Sequence, residues 1–137
     1  MKKVLLVVLR VSLLTICCGC LSLSRSERED LRVIREAGFS RTEEGIKSPL
    51  LAALLNFLPG IGNFYLASGT DESEMVLTGV LNLLTWPVSV LWGVPEAAID
   101  ANTINKRETV YHFMRTEKGR EEIRQALEGR AKWDKRE

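Results

Sequence analysis

Cysteine and histidine are scarce in this 137-residue chain. Cys17, Cys18 and Cys20 sit together near its start, and His112 is the single histidine. Cysteines spaced to close loops are missing, so no disulfide framework is expected. No second cluster of Cys or His completes a zinc site, so no metal is expected. Charge of one sign is lacking too. The formal net charge of +1 gives no long-range field to steer a polyanion, which argues against a nucleic-acid partner. Phosphate-binding and hydrolase motifs are also absent. There is no P-loop, no Gly-x-Gly-x-x-Gly, no His-Glu-x-x-His and no Gly-x-Ser-x-Gly. Gly60 and Gly62 lack the spacing and the following lysine of a phosphate loop. No catalytic residue is expected and the chain reads as non-enzymatic.

What the sequence does have begins at residue 2. Lys2 and Lys3 precede a stretch, 4–16, that is apolar except for Arg10, Ser12 and Thr15, and Gly19 then stands before Cys20. A basic start, a short apolar run and a small residue before the cut describe an export signal over 1–19. The apolar run falls short of the roughly 20 residues that cross a bilayer. Gly19-Cys20 resembles the lipobox of bacterial lipoproteins. That resemblance implies a diacylglyceryl group on the Cys20 thiol, cleavage before it, acylation of the new amine and a periplasmic face. The covalent lipid would be the only prosthetic group. Leu21 in place of Asp leans the sorting toward the outer rather than the inner membrane. Cleavage leaves 16 basic and 18 acidic residues, a nearly neutral chain. The alternative is an uncleaved N-terminal helix in a small inner-membrane protein that serves a membrane complex as a subunit.

The exported part is expected to be mainly α-helical, with a tether and short helix over 20–47, an apolar hairpin over 48–105 and a charged helical region over 106–137. Ser26 and Glu29 have capping-box spacing, Leu31 and Ile34 follow at helical spacing, and Gly38-Phe39 read as a stop. A surface helix over 27–37 results, followed by a polar linker over 41–47. Ser48 suits an N-cap and Pro49 the first helical position.

From residue 48 to 70, and again from 75 to 95, no residue is charged; the two runs of 23 and 21 residues flank an acidic turn at 71–74. They read as an antiparallel pair of helices long enough to cross a bilayer. The first carries Ala53, Asn56, Gly60, Asn63 and Ala67 on one face, and the second Gly79, Asn82, Trp86, Ser89 and Gly93. Folding about residue 71 sets Asn63 near Gly79, Gly60 near Asn82, Asn56 near Trp86 and Ala53 near Ser89. In lipid, helices associate through small residues and amide hydrogen bonds, so these stripes are the expected interface. Pro59-Gly60 is expected to kink the first helix and Pro87 to disturb the second. Trp86 and Trp92 suit interfacial depth.

Residues 58–66, Leu-Pro-Gly-Ile-Gly-Asn-Phe-Tyr-Leu, with an apolar segment ending at Asp100, resemble the TM-two domain family. Asn63 stands where that family has Arg, and Ala67 where it has Gly. The resemblance covers roughly 47–105. It implies paired membrane helices and no defined activity.

Beyond Pro95, Glu96 and Asp100 lie one helical turn apart. They are read as the end of the apolar helix in preference to a paired-carboxylate site. Residues 110–114 form a short apolar patch, read as either a strand or a helix turn, and His112 is read as a packed or exposed residue rather than a ligand. Thr116 suits the cap of a last helix with an apolar stripe at Ile123, Ala126, Leu127 and Ala131. The basic residues Lys47, Lys106 and Arg107 flank the hairpin, which by charge bias places both ends in the cytoplasm. A lipidated Cys20 requires the exported face, and that requirement is given precedence; the hairpin then either inserts from the periplasmic side as a second membrane attachment or packs as a soluble or oligomeric core beneath the anchor. Membrane lipid is the expected partner, with either a second copy or an envelope protein beside it.

Overall fold

The computed structural model describes residues 21–40, 46–86 and 88–134. The expected signal over 1–19, Cys20, the linker residues 41–45 and Pro87 lie outside the described residues. The protein is mainly α-helical, with no strand among the described residues. In chain order the elements are α1 (Arg25–Glu36), α2 (Pro49–Leu55), α3 (Ile61–Ala67), α4 (Glu74–Leu84), α5 (Val90–Val110), a π-helical turn (Tyr111–Arg115) and α6 (Glu117–Asp134). They divide into two compact units. The first holds Leu21, Ser22 and Lys47–Ile104, and the second holds Leu23–Ile46 with Asn105–Glu137.

In the second unit, α1 starts one turn-fraction earlier than its sequence suggested. Ser24, not Ser26, is the cap. Its hydroxyl accepts from Glu27 N, and the Glu27 carboxylate accepts from Ser24 N at 2.6 Å. Both serines have a Glu three residues on. The earlier one prevails where Arg28 also bonds the Leu23 carbonyl and Glu27 pairs with Arg107 at 3.4 Å. Gly38 and Phe39 close the helix as expected, with Phe39 N donating to Ile34 O. Leu31, Ile34 and Ala37 of this segment bury against Val110, Phe113 and Ile123, and Phe39 packs on Phe113 with ring centroids 4.7 Å apart. The apolar patch at 110–114 is the end of α5 and the π turn, not a strand. Thr116 caps α6 by accepting from Gly119 N at 3.0 Å. Of the stripe on α6, Ile123 and Ala126 pack on the core, whereas Leu127 and Ala131 are exposed.

The first unit departs from two long straight helices. The uncharged run 48–70 is divided into α2 and α3 by a turn at 56–60. The run 75–95 is divided between α4 and the start of α5, which continues through Pro95 to Val110. No helix among the described residues is long and apolar enough to cross a membrane. Pro59 is the local cause of the first break, since it removes a helical donor and disfavours helix at Leu58. Ser48 caps α2 by accepting from Leu51 N, with Pro49 at its first position, as the sequence indicates.

The two halves of the first run fold back on one another, and the start of α4 turns back toward the part of α5 that follows the second run. Lys47 Nζ donates to the carbonyls of Tyr65 and Ser68, and Ser48 N donates to the Tyr65 hydroxyl at 3.0 Å, so the start of α2 meets the end of α3. Met75 at the start of α4 clusters with Ala97, Ala101 and Ile104 of α5, together with Ala52 and Leu66. The charged loops therefore gather at one end of the unit and the turns at 56–60 and 84–90 lie away from it.

Candidate functional site

The distinguishing site is the interior of the first unit, where the sequence stripes meet. Asn56, Asn63, Asn82 and Ser89 are all buried, Asn63 completely. Asn56 ends α2, and its side chain bridges three backbone groups. Its Oδ1 accepts from Gly60 N and Gly62 N at 3.1 and 3.2 Å, and its Nδ2 donates to Gly93 O at 2.5 Å. The first two bonds satisfy donors that the broken helix exposes, which a buried turn otherwise leaves unpaired. Asn63 Oδ1 accepts from Asn82 Nδ2 at 3.1 Å, Trp92 Nε1 donates to Asn82 Oδ1 at 3.3 Å, and the Ser89 hydroxyl donates to Asn82 O at 2.7 Å. Asn63 Nδ2 is buried without a hydrogen-bond partner.

Glycine is required where the elements cross. Gly60 has φ +85°, and a Cβ there would overlap the Gly79 carbonyl. A Cβ on Gly79 would lie 2.7 Å from the Phe64 ring, and one on Gly93 3.0 Å from Asn56 Nδ2.

Seven residues expected to meet, Asn56, Gly60, Asn63, Gly79, Asn82, Ser89 and Gly93, are thus brought together. The pairing is not the expected one, and no single shift of register relates the two, since the partners move by three residues in opposite directions at Asn63 and Gly60 and by seven at Asn56. Asn63 meets Asn82 rather than Gly79, Gly60 meets Gly79 rather than Asn82, and Asn56 reaches Gly93 rather than Trp86. Stripes repeating every three or four residues are compatible with several registers. Trp86 is exposed and Trp92 half-buried.

Around this polar interior the surface is apolar. Of 20 large hydrophobic side chains standing exposed among the described residues, 16 belong to 48–105, among them Leu50 at 70%, Leu84 at 75% and Leu91 at 80%. The same unit buries seven polar or charged residues against six hydrophobic ones. Water favours the opposite distribution, so a contiguous exposed apolar surface calls for a non-aqueous neighbour.

Glu96 and Asp100 lie one turn apart on α5, both buried. Burial, then the nearby Asp100 carboxylate, pushes the Glu96 carboxyl up to about 7. Asp100 Oδ1 accepts from Leu21 N at 2.7 Å, and the Thr103 hydroxyl donates to Leu21 O. Asp100 and Thr103, not Glu96, therefore clasp the backbone of Leu21, a role the sequence did not suggest. An acidic pair beside an apolar segment was the only signal of it. His112 stands 3.8 Å from Glu122 and edge-on to Phe113. Among the described residues no group of His, Cys, Asp or Glu is arranged to hold a metal ion.

Comparison with family models, curated proteins and solved structures finds no match for this chain.

Proposed function

We propose that this protein is a non-enzymatic lipoprotein of the bacterial cell envelope, held by lipid on Cys20, with a structural or accessory role. The apolar first unit acts as its second membrane attachment. The observation that carries this reading is the inverted distribution in that unit, amides and carboxyls inside and leucines outside. Buried amides bonded to one another and to backbone groups, with Asn63 Nδ2 left over, and wrapped in exposed apolar side chains, suit a surrounding of acyl chains. The lipobox-like Gly19-Cys20 supplies the complementary anchor, and several acyl chains give stable attachment at about 0.8 kcal/mol per buried methylene. The likeness of 58–66 to the TM-two domain family supports a membrane setting for the same unit.

Metabolic labelling with a palmitate analogue tests the reading. The expected result is a labelled chain whose native N-terminus, by mass spectrometry, is a modified Cys20, with label lost in Cys20→Ala. A full-length unlabelled chain overturns it and favours the inner-membrane subunit with an uncleaved N-terminal helix.

A further inference from the structure

We propose that the first unit enters only one leaflet of the membrane, as two bent-back helix pairs whose turns at 56–60 and 84–90 face the bilayer centre. This rests on the membrane reading above and adds its depth and topology. The hydrocarbon core is about 30 Å thick, so one leaflet offers about 15 Å. The seven-residue α2 and α3 rise about 10 Å each, and the eleven-residue α4 about 16 Å. These three lengths suit a leaflet and not a bilayer; α5 is longer, at 21 residues, but only its residues 90–95, about 9 Å, precede the first carboxyl at Glu96.

Side chains sort along the same axis. Phe57, Leu58, Leu84, Trp86 and Leu91, at or beside the turns, are all exposed and apolar. The charged residues Lys47, Asp71, Glu72, Glu74 and Asp100 of the unit's described part lie toward the opposite end, and Glu96, less than two turns into α5, is buried. Non-helical backbone is tolerated at membrane depth only where protein groups satisfy it. At the 56–60 turn Asn56 does this for Gly60 N and Gly62 N. A turn facing water needs no such side chain, because solvent pairs with its donors.

Leu21 fixes which leaflet. Asp100 and Thr103 hold its backbone at the charged end, so acyl groups on the neighbouring Cys20 enter the same leaflet from the same side as the unit. One-leaflet entry also removes the conflict between basic flanks and an exported Cys20. The acidic loop and both outer ends then share one face, and no segment is translocated.

The acylated full chain, extracted from the membranes of the cells that make it, is reconstituted into sealed vesicles of phosphatidylethanolamine and phosphatidylglycerol. It carries Cys17→Ser, Cys18→Ser and one new cysteine, and is exposed to a membrane-impermeant maleimide. Asp71→Cys and Asn102→Cys are expected to label together from outside. Leu58→Cys and Leu84→Cys are expected to label about tenfold less until SDS dissolves the membrane. In a Trp133→Phe chain, bromines deep in the acyl chains are expected to quench tryptophan more than bromines near the headgroups. Labelling of residue 102 with protection of residue 71 means a crossing and overturns the proposal. Turn residues that label as fast as residue 71 overturn it as well. Turns that are protected without deep quenching are covered by protein, a second copy or a partner, and this too overturns it. Failure of the anchor reading appears elsewhere, as a wild-type chain without palmitate. The maleimide pattern of the vesicle-bound fraction of Cys20→Ala chains reports on the insertion alone.

Discussion

Asn56 makes three hydrogen bonds to backbone groups that have no water to turn to, whereas Asn63 makes one and leaves its Nδ2 unpaired. Removing a buried partner costs about 1–3 kcal/mol for each group stranded. Asn56→Ala is therefore expected to destabilise the first unit by more than about 3 kcal/mol and Asn63→Ala by about 1–2 kcal/mol. Denaturation of the reconstituted chains, followed by circular dichroism, checks the order. Equal losses would mean that the amides act by volume and not by bonding. The identity of these residues was legible in the sequence, because an asparagine in an uncharged run needs a partner. Their bonds were not legible. Asn56 was placed against another helix, yet two of its three bonds are to the turn that follows it, which forms only once Pro59 has broken the helix.

The i, i+4 carboxyls of α5 show what one helix does to its own residues. A spacing of four puts Glu96 and Asp100 on the same face, and that face is buried. Asp100 is held as acceptor to Leu21 N, so repulsion and burial together keep the proton on Glu96 up to about pH 7. The folded state then binds more protons than the unfolded chain between about pH 4.5 and 7, and stability falls as pH rises through that window. Glu96→Gln, which stays neutral, is expected to lose that fall, so its stability relative to wild type grows from pH 5 to pH 8. Midpoints of thermal unfolding at the two pH values measure it, and parallel profiles would show Glu96 to be hydrated. At the same scale the sequence indicated where helices begin, at Ser48-Pro49 and Thr116. It misplaced the α1 cap by two residues, since Ser24 and Ser26 offer the same spacing and Arg107, distant in sequence, separates them. Pro59 marked the break between α2 and α3, but the length of the uncharged runs suggested helices able to cross a bilayer, because absence of charge reports solvent preference and not helix length.

At the scale of the whole molecule the two units obey opposite rules. The second buries leucine, isoleucine and phenylalanine under a charged surface of pairs such as Arg124 with Glu121 and Glu128. The first buries amides under a surface of leucine. Ile34 is fully buried in the second unit, so Ile34→Ala is expected to cost about 2–5 kcal/mol there. It should leave vesicle binding by the first unit unchanged. Flotation with vesicles, beside a circular-dichroism melt, separates the two effects. Loss of flotation with the melt would mean that the second unit holds the chain on the membrane.

Composition and patterning by themselves determined that the chain is mainly helical and that its charge-free half carries asparagines and glycines on shared faces. These properties follow from which side chains tolerate water and from the 3.6-residue turn. Tertiary structure alone decided that the first uncharged run folds back on itself, that Asn63 meets Asn82, and that Asp100 grips the backbone of Leu21. Each of these joins residues far apart in the chain. Periodicity ranks faces of a helix and carries no information on which face of another helix they meet.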